Sequence, residues 1–422
     1  MRALYSLSIF FFGIAIRIAA LFNSKARLWI RGRKNLFTEL ESKIKSSAQP
    51  IVWFHCASLG EFEQGRPLIE EFKKRNPSYR ILLSFFSPSG FEVRKNYAGA
   101  DTVCYLPLDT LGNAKRFVEL VNPSLVFFIK YEFWLNTLGE IRKKNIPHFL
   151  VSGIFRHDQI FFKSHGGIFR EALKGFTFLF TQEKNSVELL KSISIHNVIA
   201  AGDTRFDRVI EIANGAKEIS LAKLFSGIEG KVIIAGSTWP QDEELLFPST
   251  SAELKKDWKI IIAPHELGEA HLSAIESALG NIGIEKQSII RFSKADEKFI
   301  SEAKVLLIDN IGMFSSLYRY GNIAYIGGGF GKSIHNTLEA AVYGIPVVFG
   351  PRFEKFNEAK GLIASGGGFG VQNGQELQNV LHELLSDKTK REAAGMKAGK
   401  FVKENTGATK IILEKTESLI NR

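Results

Sequence analysis

The sequence has few of the residues that build disulfide frameworks or metal centres. Only two cysteines, Cys56 and Cys104, occur among 422 residues, and both lie in apolar runs. Two thiols do not make a disulfide framework, so we interpret them as buried thiols in a reducing compartment. Neither has metal-ligand spacing, and the chain contains no Cys/His cluster and no Asp-x-Asp pair. We therefore predict neither a bound metal nor another cofactor.

Low-complexity tracts and short repeats are also absent, which argues against disordered and repeat architectures. The composition, 45% apolar and 23% charged, is typical of a globular protein. A chain of 422 residues is too long for a single hydrophobic core and predicts two domains of roughly 200 residues each.

The net charge of +11 requires an explanation. The basic residues are not interleaved with a recognisable nucleic-acid-binding motif, so we predict no nucleic acid partner. Part of this excess positive charge is concentrated in and directly after the most apolar stretch of the chain, Ala3–Phe22. The basic residues concentrated there are Arg17, Lys25, Arg27, Arg31, Arg33 and Lys34.

The stretch Ala3–Phe22 is too long and too poorly terminated for a cleaved signal peptide. It predicts an N-terminal hydrophobic membrane helix that spans a bilayer or lies in one leaflet, with Arg17 reaching the interface. The alternative is a hydrophobic first helix packed on the protein itself. The basic residues after it predict contact with an anionic membrane surface and place the rest of the chain on the cytoplasmic side.

From Pro50 onward, apolar runs alternate with amphipathic segments, which predicts parallel sheets covered on both faces. The first set of predicted strands is Ile51–Cys56, Arg80–Phe86, Thr102–Leu106, Leu125–Ile129, His148–Val151, Phe176–Thr181 and Asn197–Ala201. The second set is Lys231–Ala235, Trp258–Ala263, Ser288–Phe292, Val305–Ile308, Asn322–Ile326 and Pro346–Phe349. We predict an α/β protein with a hydrophobic helix and basic cluster at 1–34, Rossmann-like domains at 35–208 and 231–422, and a hinge at 209–230. Ligands of such sheets bind at the carboxyl ends of the strands, facing a cleft between the domains.

Two loops that follow strands of the first half carry charged side chains. Glu61 stands in the first turn of a helix, where the helix dipole keeps a carboxylate ionised, so it is a candidate general base. It could equally serve only to complement the dipole. The fourth strand runs into Lys130 and Glu132, which either bind a phosphate and a hydroxyl or pair with each other. Near the hinge, Arg205 suits a carboxylate or phosphate, or belongs to an ion-pair network.

Loops of the second half suit the parts of a nucleotide-sugar. Ser237 and Thr238 precede a helix start, where free N–H groups favour a phosphate. His265 follows the next strand and either contacts the ligand or is structural. The glycine loop around Gly328 and Gly329 predicts free N–H groups before a helix over Leu338–Tyr343, and Glu339 in that helix suits sugar hydroxyls. The alternative is a loop whose glycines only permit tight packing.

These segments together resemble the Kdo transferases of lipopolysaccharide biosynthesis. Members of that GT-B glycosyltransferase family transfer 3-deoxy-D-manno-octulosonic acid (Kdo) from CMP-Kdo to a lipid A precursor. The resemblance lies in the hydrophobic first helix, Ser58-Leu59-Gly60-Glu61, Gly202-Asp203-Thr204-Arg205-Phe206-Asp207, Gly236-Ser237-Thr238-Trp239, Pro264-His265-Glu266 and the run from Gly327 to Pro351.

The resemblance implies two doubly wound domains facing across a cleft and a site at the cytoplasmic side of the inner membrane. It implies Glu61 as the general base of an inverting transfer. The donor-binding residues that we assign are Ser237, Thr238, His265, Gly328, Gly329, Asn336, Glu339 and Arg205. The acceptor or substrate-binding residues are Ser58, Gly60, Lys130 and Glu132. The alternatives are a nucleotide-sugar epimerase or hydrolase of GT-B fold and a non-enzymatic membrane-surface binding protein.

Overall fold

The computed structural model describes residues 2–45, 47–130, 133–227 and 230–420. The chain divides into two compact units, of which the first contains Met1–Arg208 and Thr406–Arg422 and the second contains Val209–Asn405. The division between them falls within one helix, Thr204–Gly215.

The first unit is built around a parallel sheet whose strands are joined by helices. In chain order its elements are α1 (Arg2–Ala19), α2 (Ser24–Arg31), α3 (Leu36–Ile44), β1 (Ile51–Cys56), α4 (Leu59–Arg75), β2 (Arg80–Phe85), α5 (Pro88–Arg94), β3 (Thr102–Tyr105), α6 (Leu111–Val121), β4 (Leu125–Ile129), α7 (Leu135–Lys143), β5 (His148–Gly153), α8 (Gly167–Lys174), β6 (Phe178–Thr181), α9 (Lys184–Ser192) and β7 (Val198–Ala200). The strands lie in the order β3-β2-β1-β4-β5-β6-β7.

Both faces of this sheet are buried, which explains why its strands are continuous apolar runs. Along β1, for example, Trp53 packs into the core on one face and Phe54 into the core on the other. All six residues of β1 are buried.

The second unit repeats this plan. After α10 (Thr204–Gly215), its elements are α11 (Ser220–Ser226), β8 (Val232–Thr238), α12 (Pro240–Leu254), β9 (Lys259–Pro264), α13 (Glu269–Asn281), β10 (Ile289–Arg291), β11 (Val305–Leu307), α14 (Phe314–Leu317), β12 (Ile323–Ile326), α15 (Leu338–Ala341), β13 (Val347–Phe349), α16 (Asn357–Ser365), β14 (Gly368–Gly370), α17 (Gly374–Ser386) and α18 (Lys388–Glu404). The parallel strands lie in the order β10-β11-β9-β8-β12-β13-β14. The last helix, α19 (Ala408–Ile420), belongs to the first unit.

The prediction of two parallel-sheet α/β domains is confirmed. Each predicted strand corresponds to an observed one within one or two residues at most ends. Strand β14 was not predicted, because Gly368–Gly370 has one apolar side chain between two glycines and resembles a loop. The helix predicted over Leu338–Tyr343 is shorter in the structure, where α15 ends at Ala341.

The C-terminal segment differs from the predicted domain at 231–422. Helix α19 packs with the apolar core of the first unit through Ile412 and Leu413. Asp207 fixes the start of this helix, since its carboxylate accepts hydrogen bonds from the backbone N–H groups of Gly407 (2.6 Å) and Thr409 (2.7 Å). The sequence does not assign this segment to a unit, because an amphipathic helix does not reveal which core covers its apolar face.

Helix α1 contacts the first unit along one narrow face. Ile9 and Gly13 are buried on this face, and the Tyr5 hydroxyl donates to Asp109 Oδ2 at 2.7 Å. The remaining faces expose large apolar side chains, which are Leu4, Leu7, Phe10, Phe11, Phe12, Ile14 and Ile18. Among the helices described, none is both long and apolar enough to cross a membrane.

The packing of α19 on the first unit can be tested with two substitutions in the same helix. Leu413→Ala removes a buried side chain and should lower the free energy of unfolding by about 3 kcal/mol. Ile411→Ala changes a side chain that is exposed and should cost well under 1 kcal/mol. Urea unfolding followed by circular dichroism measures both. Equal effects of the two substitutions would contradict the packing described here.

Candidate active site

The strand order of the first sheet reverses between β1 and β4, which are neighbours. In open α/β sheets this reversal opens a crevice at the carboxyl ends of the two strands, and ligands bind there. Ser58 follows β1, Gly60 and Glu61 lie in the first turn of α4, and Lys130 directly follows β4. Four residues that the sequence predicts as functional therefore lie at one edge of the sheet.

Glu61 lies in the first turn of α4 and is half-buried. Its Oε2 accepts a hydrogen bond from the backbone N–H of Ala57 at 2.5 Å. The helix dipole and this N–H group both favour the ionised carboxylate. Ser58 is the N-cap residue of α4, although its side chain makes no capping hydrogen bond. The geometry therefore favours the charge state that a proton-accepting role requires.

Close packing of α4 against the sheet fixes the position of this carboxylate. A Cβ atom on Gly65 would approach Ile129 Cγ1 to 2.9 Å, so glycine lets the helix lie against β4. At Gly60 a Cβ atom would meet no heavy atom within 4 Å. Gly60 lies within α4, and the packing around it does not require glycine.

The loop after β4 begins with a left-handed residue. Lys130 has φ +63°, and its N–H donates to the Val151 carbonyl at 2.7 Å. Glu132 lies outside the described residues, so its predicted role stays a prediction. Further along, Trp134 donates its indole N–H to His55 Nε2 at 3.1 Å.

His55 belongs to a buried hydrogen-bond network that the sequence analysis did not assign. Because indole N–H is only a donor, His55 Nε2 accepts and its Nδ1 carries the proton. The Nδ1–H group donates a hydrogen bond to Ser84 Oγ at 2.8 Å. The same oxygen accepts a second hydrogen bond from the Trp53 indole N–H at 2.7 Å. The network holds Trp134 beside the carboxyl end of β1. A histidine inside an apolar strand was the available signal.

Arg205 lies in the first unit and contacts a carboxylate of its own loop. Its Nε and Nη2 donate to Asp203 Oδ2 at 2.9 and 2.6 Å. The neighbouring Thr204 donates its hydroxyl to the Gln64 carbonyl at 2.5 Å, which joins this loop to α4. The alternative in which Arg205 belongs to an ion pair is therefore confirmed. A contact between Arg205 and the sugar-donor substrate stays a prediction.

The second sheet reverses its order between β8 and β12, again neighbouring strands. Ser237 has φ +53° at a register irregularity near the end of β8. Thr238 is buried, and its hydroxyl donates to Glu243 Oε1 at 2.8 Å. The glycine loop follows β12 at the same edge. The predicted phosphate-binding loops thus lie next to each other within this unit.

Asp242 joins these two loops and is fully buried. Its Oδ2 accepts from the N–H groups of Trp239 (3.0 Å) and Gly328 (2.7 Å), and its Oδ1 accepts from the Tyr325 hydroxyl (3.0 Å). Burial, together with the nearby Asp242 carboxylate, raises the pKa of Tyr325 well above its usual value. The role of Asp242 was not predicted, although an acidic residue two positions after Pro240 is a common helix-start signal.

The glycine loop is more constrained than predicted. The N–H groups of Gly328 and Phe330 donate to Asp242, and those of Gly327 and Gly331 donate to backbone carbonyls. The expectation that the loop leaves these N–H groups free is therefore wrong for these four residues. A Cβ atom on Gly329 would lie 2.6 Å from the backbone of Gly350. Tight packing is thus one reason for glycine here.

Asn336 and Glu339 lie together beyond this loop. Asn336 Nδ2 donates to Glu339 Oε1 at 3.0 Å, and Asn336 Oδ1 accepts from the Leu338 N–H at 3.1 Å. Both side chains are half-buried. The amide and the carboxylate form a polar pair of the kind that binds sugar hydroxyls.

Three rings stack at the same edge of the second sheet. His265 lies between Trp239, with ring centroids 4.6 Å apart, and His335, with centroids 4.7 Å apart. Trp239 donates its indole N–H to His335 Nε2 at 3.4 Å, so His335 accepts at this atom. Burial, reinforced by the neighbouring His265, lowers the pKa of His335 below its usual value. His335 is therefore neutral at pH 7.

Glu243 connects Thr238, at the end of β8, to α13. Its Oε2 lies 3.0 Å from His271 Nε2, and His271 Nδ1 lies 3.0 Å from the Glu266 carbonyl. These contacts fix the loop that carries His265. Among the described residues, no three His, Cys, Asp or Glu side chains are grouped so that they could hold a metal ion.

Comparisons with known proteins agree with this arrangement. A putative UDP-N-acetylglucosamine 2-epimerase from Listeria monocytogenes has a similar structure, with a TM-score of 0.59 and 13% identity over 88% of this chain and 96% of that one. At this identity the likeness concerns the fold alone. The fold class is therefore GT-B-like, with two parallel-sheet α/β units.

The sequence relatives are more specific. The family model described as 3-deoxy-D-manno-octulosonic-acid transferase (kdotransferase) matches residues 31–208. The 3-deoxy-D-manno-octulosonic acid transferase of Aquifex aeolicus is 31% identical over 80% of this chain and 86% of its own length. The enzyme of the same name from Rickettsia bellii is 28% identical, with 84% of each chain covered. The chain belongs to the family of 3-deoxy-D-manno-octulosonic acid transferases, which are glycosyltransferases.

The role of Asp242 in holding the glycine loop can be tested by hydrogen exchange. Asp242→Ala removes the acceptor of a buried N–H group, so it should destabilise the second unit by about 2–4 kcal/mol and expose the Gly328 amide. Exchange of that amide, measured by NMR or mass spectrometry, should become at least about tenfold faster. Glu244→Ala, a neighbouring substitution on α12, is the control. Unchanged protection of Gly328 in Asp242→Ala would contradict this role.

Proposed function

We propose that this protein transfers Kdo from CMP-Kdo to a lipid A precursor, with inversion at the anomeric carbon. The observation that carries the proposal is the position of Glu61, which is a half-buried carboxylate beside the reversal of strand order in the first sheet. Membership of the Kdo transferase family supports the sugar that is transferred. The first unit binds the acceptor and the second binds the nucleotide part of the donor.

In the proposed reaction Glu61 accepts the proton of an acceptor hydroxyl. The hydroxyl oxygen attacks the anomeric carbon of Kdo from one face, and the bond from that carbon to the phosphate oxygen breaks on the other face. CMP leaves with the bonding electron pair, which inverts the anomeric configuration. Donors near the phosphate stabilise the charge that develops on it. Lys130 and Arg205 are the candidate cations.

The second unit offers complementary groups for the nucleotide. Asn336 and Glu339 suit the hydroxyls of ribose, since together they supply an amide and a carboxylate. His335, whose pKa is lowered by burial, can donate to a phosphate through its ring N–H in the neutral form, and the exposed ring of His265 lies beside it. These assignments support binding of an anionic nucleotide-sugar by this unit.

The proposal places the protein on the cytoplasmic side of the inner membrane, with α1 lying in the membrane surface. Most faces of α1 expose apolar side chains, while one face packs on the first unit. The basic residues after it attract anionic headgroups. An acceptor held in a membrane would then reach the site without leaving the bilayer.

The reaction can be tested with CMP-Kdo labelled in the sugar and a detergent-dispersed lipid A precursor. The label should appear in the lipid fraction. Release of free sugar would instead indicate a hydrolase, and an isomerised sugar would indicate an epimerase. Absence of any turnover would indicate a binding protein. Glu61→Gln keeps the side-chain shape but cannot accept the proton, so the transfer rate should fall by about 10²-fold or more. CMP-Kdo binding, measured by calorimetry, should stay nearly unchanged.

The control for this test is Glu63→Gln, because Glu63 lies on the same helix and pairs with Arg94 at 2.7 Å. It should retain most of the activity. A Glu61→Gln enzyme that transfers Kdo at a rate close to that of the unchanged protein would refute the assigned base.

Contact of α1 with a membrane can be tested by vesicle sedimentation. Phe10→Ser with Phe11→Ser changes two side chains that are 57% and 58% exposed, so the fold should survive. Partition onto vesicles that contain anionic lipid should fall by about tenfold or more, because each change removes a large apolar group from the membrane. Phe299→Ser, at a residue that is 62% exposed in the second unit, is the control. Equal partition of both variants would rule out α1 as the contact.

A further inference from the structure

A cationic pocket lies at the base of α1, and neither the proposed reaction nor the comparisons assign a role to it. The pocket has a volume of about 370 Å³ and lies within the first unit. Its lining brings together α1, α2, the start of α3 and the loop after β3. No Asp or Glu occurs among the described residues that line it.

Arg33 is the most unusual residue of this lining. Its Nε, Nη1 and Nη2 donate to the carbonyls of Leu106 (2.8 Å), Trp29 (3.1 Å) and Phe86 (2.8 Å). Because a guanidinium has five N–H donors, these bonds leave two for a further partner. Burial lowers the pKa of Arg33 to about 9, and the groups that oppose this effect are Tyr105 and Cys104, neither of which is a carboxylate. The side chain is therefore a positive charge at neutral pH without a counter-charge from these neighbours.

Trp29 adds an unused donor beside this charge. The guanidinium carbon of Arg33 lies 3.7 Å from the centre of the Trp29 ring. Trp29 is 7% exposed, and its Nε1 is buried with no hydrogen-bond partner among the described residues. A buried N–H group without an acceptor is costly, so a ligand oxygen that reached it would be stabilising.

The rest of the lining combines two further cations with an apolar wall. Arg17 and Lys34 are exposed side chains that line the pocket from α1 and from the segment after α2. Leu108 and Phe37 are among the apolar residues. A ligand that fits must carry an anionic group with several oxygen acceptors and must also present apolar surface.

We propose that this pocket binds the phosphate group of a membrane amphiphile, with Arg33, Arg17 and Lys34 as cationic partners. Arginine binds phosphate in a planar, two-point contact, and the adjacent lysine adds a point charge. The apolar wall and the exposed face of α1 accommodate the hydrophobic part of the same molecule. The phosphate comes either from a bilayer phospholipid or from the phosphorylated glycolipid acceptor, and the second source rests on the proposed function.

The test is calorimetric titration with dihexanoyl phosphatidic acid below its micellar concentration. The unchanged protein should bind it saturably, and more tightly than dihexanoyl phosphatidylcholine or inorganic phosphate. Arg17→Gln with Lys34→Gln should weaken the binding by about tenfold or more, since two charge-assisted contacts are lost. Both side chains are exposed, so this variant should fold.

The matched control is Lys25→Gln with Arg31→Gln, which removes two positive charges from the same basic cluster outside the pocket. It should weaken the binding less than about twofold. Equal losses in the two double variants would show diffuse attraction and overturn the pocket. Absence of saturable binding, or equal affinity for phosphatidylcholine, would also overturn it. None of these readouts depends on sugar transfer, so failure of the proposed reaction is a separate outcome.

The two sources are separated by transfer assays with detergent-dispersed acceptor. If the pocket binds the phosphate of the acceptor, phosphatidic acid should compete with the acceptor. In that case Arg17→Gln with Lys34→Gln should raise the KM for the acceptor with little change in kcat. If the pocket takes a phospholipid, KM should stay unchanged and partition onto anionic vesicles should fall. Either result supports a phosphate site.

Discussion

In each unit the arrangement of functional side chains depends on parallel strand pairing. Because every crossover returns the chain to the same end of the sheet, loops that are far apart in sequence meet at the carboxyl edge. Glu61 and Lys130 are brought together in this way by β1 and β4, as Ser237 and Gly328 are by β8 and β12. The reversal of strand order then leaves space between the two loops. The chemistry of each unit follows from this constraint.

Buried aspartates give these loops a defined conformation. Asp242 holds the N–H groups of two loops, and Asp109 accepts from the N–H groups of Asn136 (3.0 Å) and Thr137 (2.9 Å). In each case a carboxylate replaces the water that backbone N–H groups would otherwise bind. Glu61 also accepts from a backbone N–H, but it is only half-buried. This difference in exposure separates a carboxylate that can meet a substrate from those that organise the fold.

Much of the fold could be predicted from the sequence, because a strand buried on both faces is a continuous apolar run. The order of such runs fixed the class and the edge at which functional residues lie. Residues whose role depends on contacts distant in sequence were not predictable. Asp242 resembles any acidic residue at a helix start, and α19 shows an apolar face without revealing the core that covers it. The glycine loop was interpreted from its composition, whereas the partners of its N–H groups are visible only in three dimensions.

The N-terminal helix has a polar contact with the body of the first unit as well as exposed apolar faces. A helix that only anchored the chain would need no polar contact with the body, yet Tyr5 donates to Asp109, which in turn holds the start of α7. Burial raises the pKa of Asp109, so its hydrogen bonds have to offset the cost of placing a carboxylate there. The loop that begins at Lys130 leads directly into α7. The face of α1 that packs on the protein is thereby connected to the carboxyl edge of the first sheet, while its other faces are exposed.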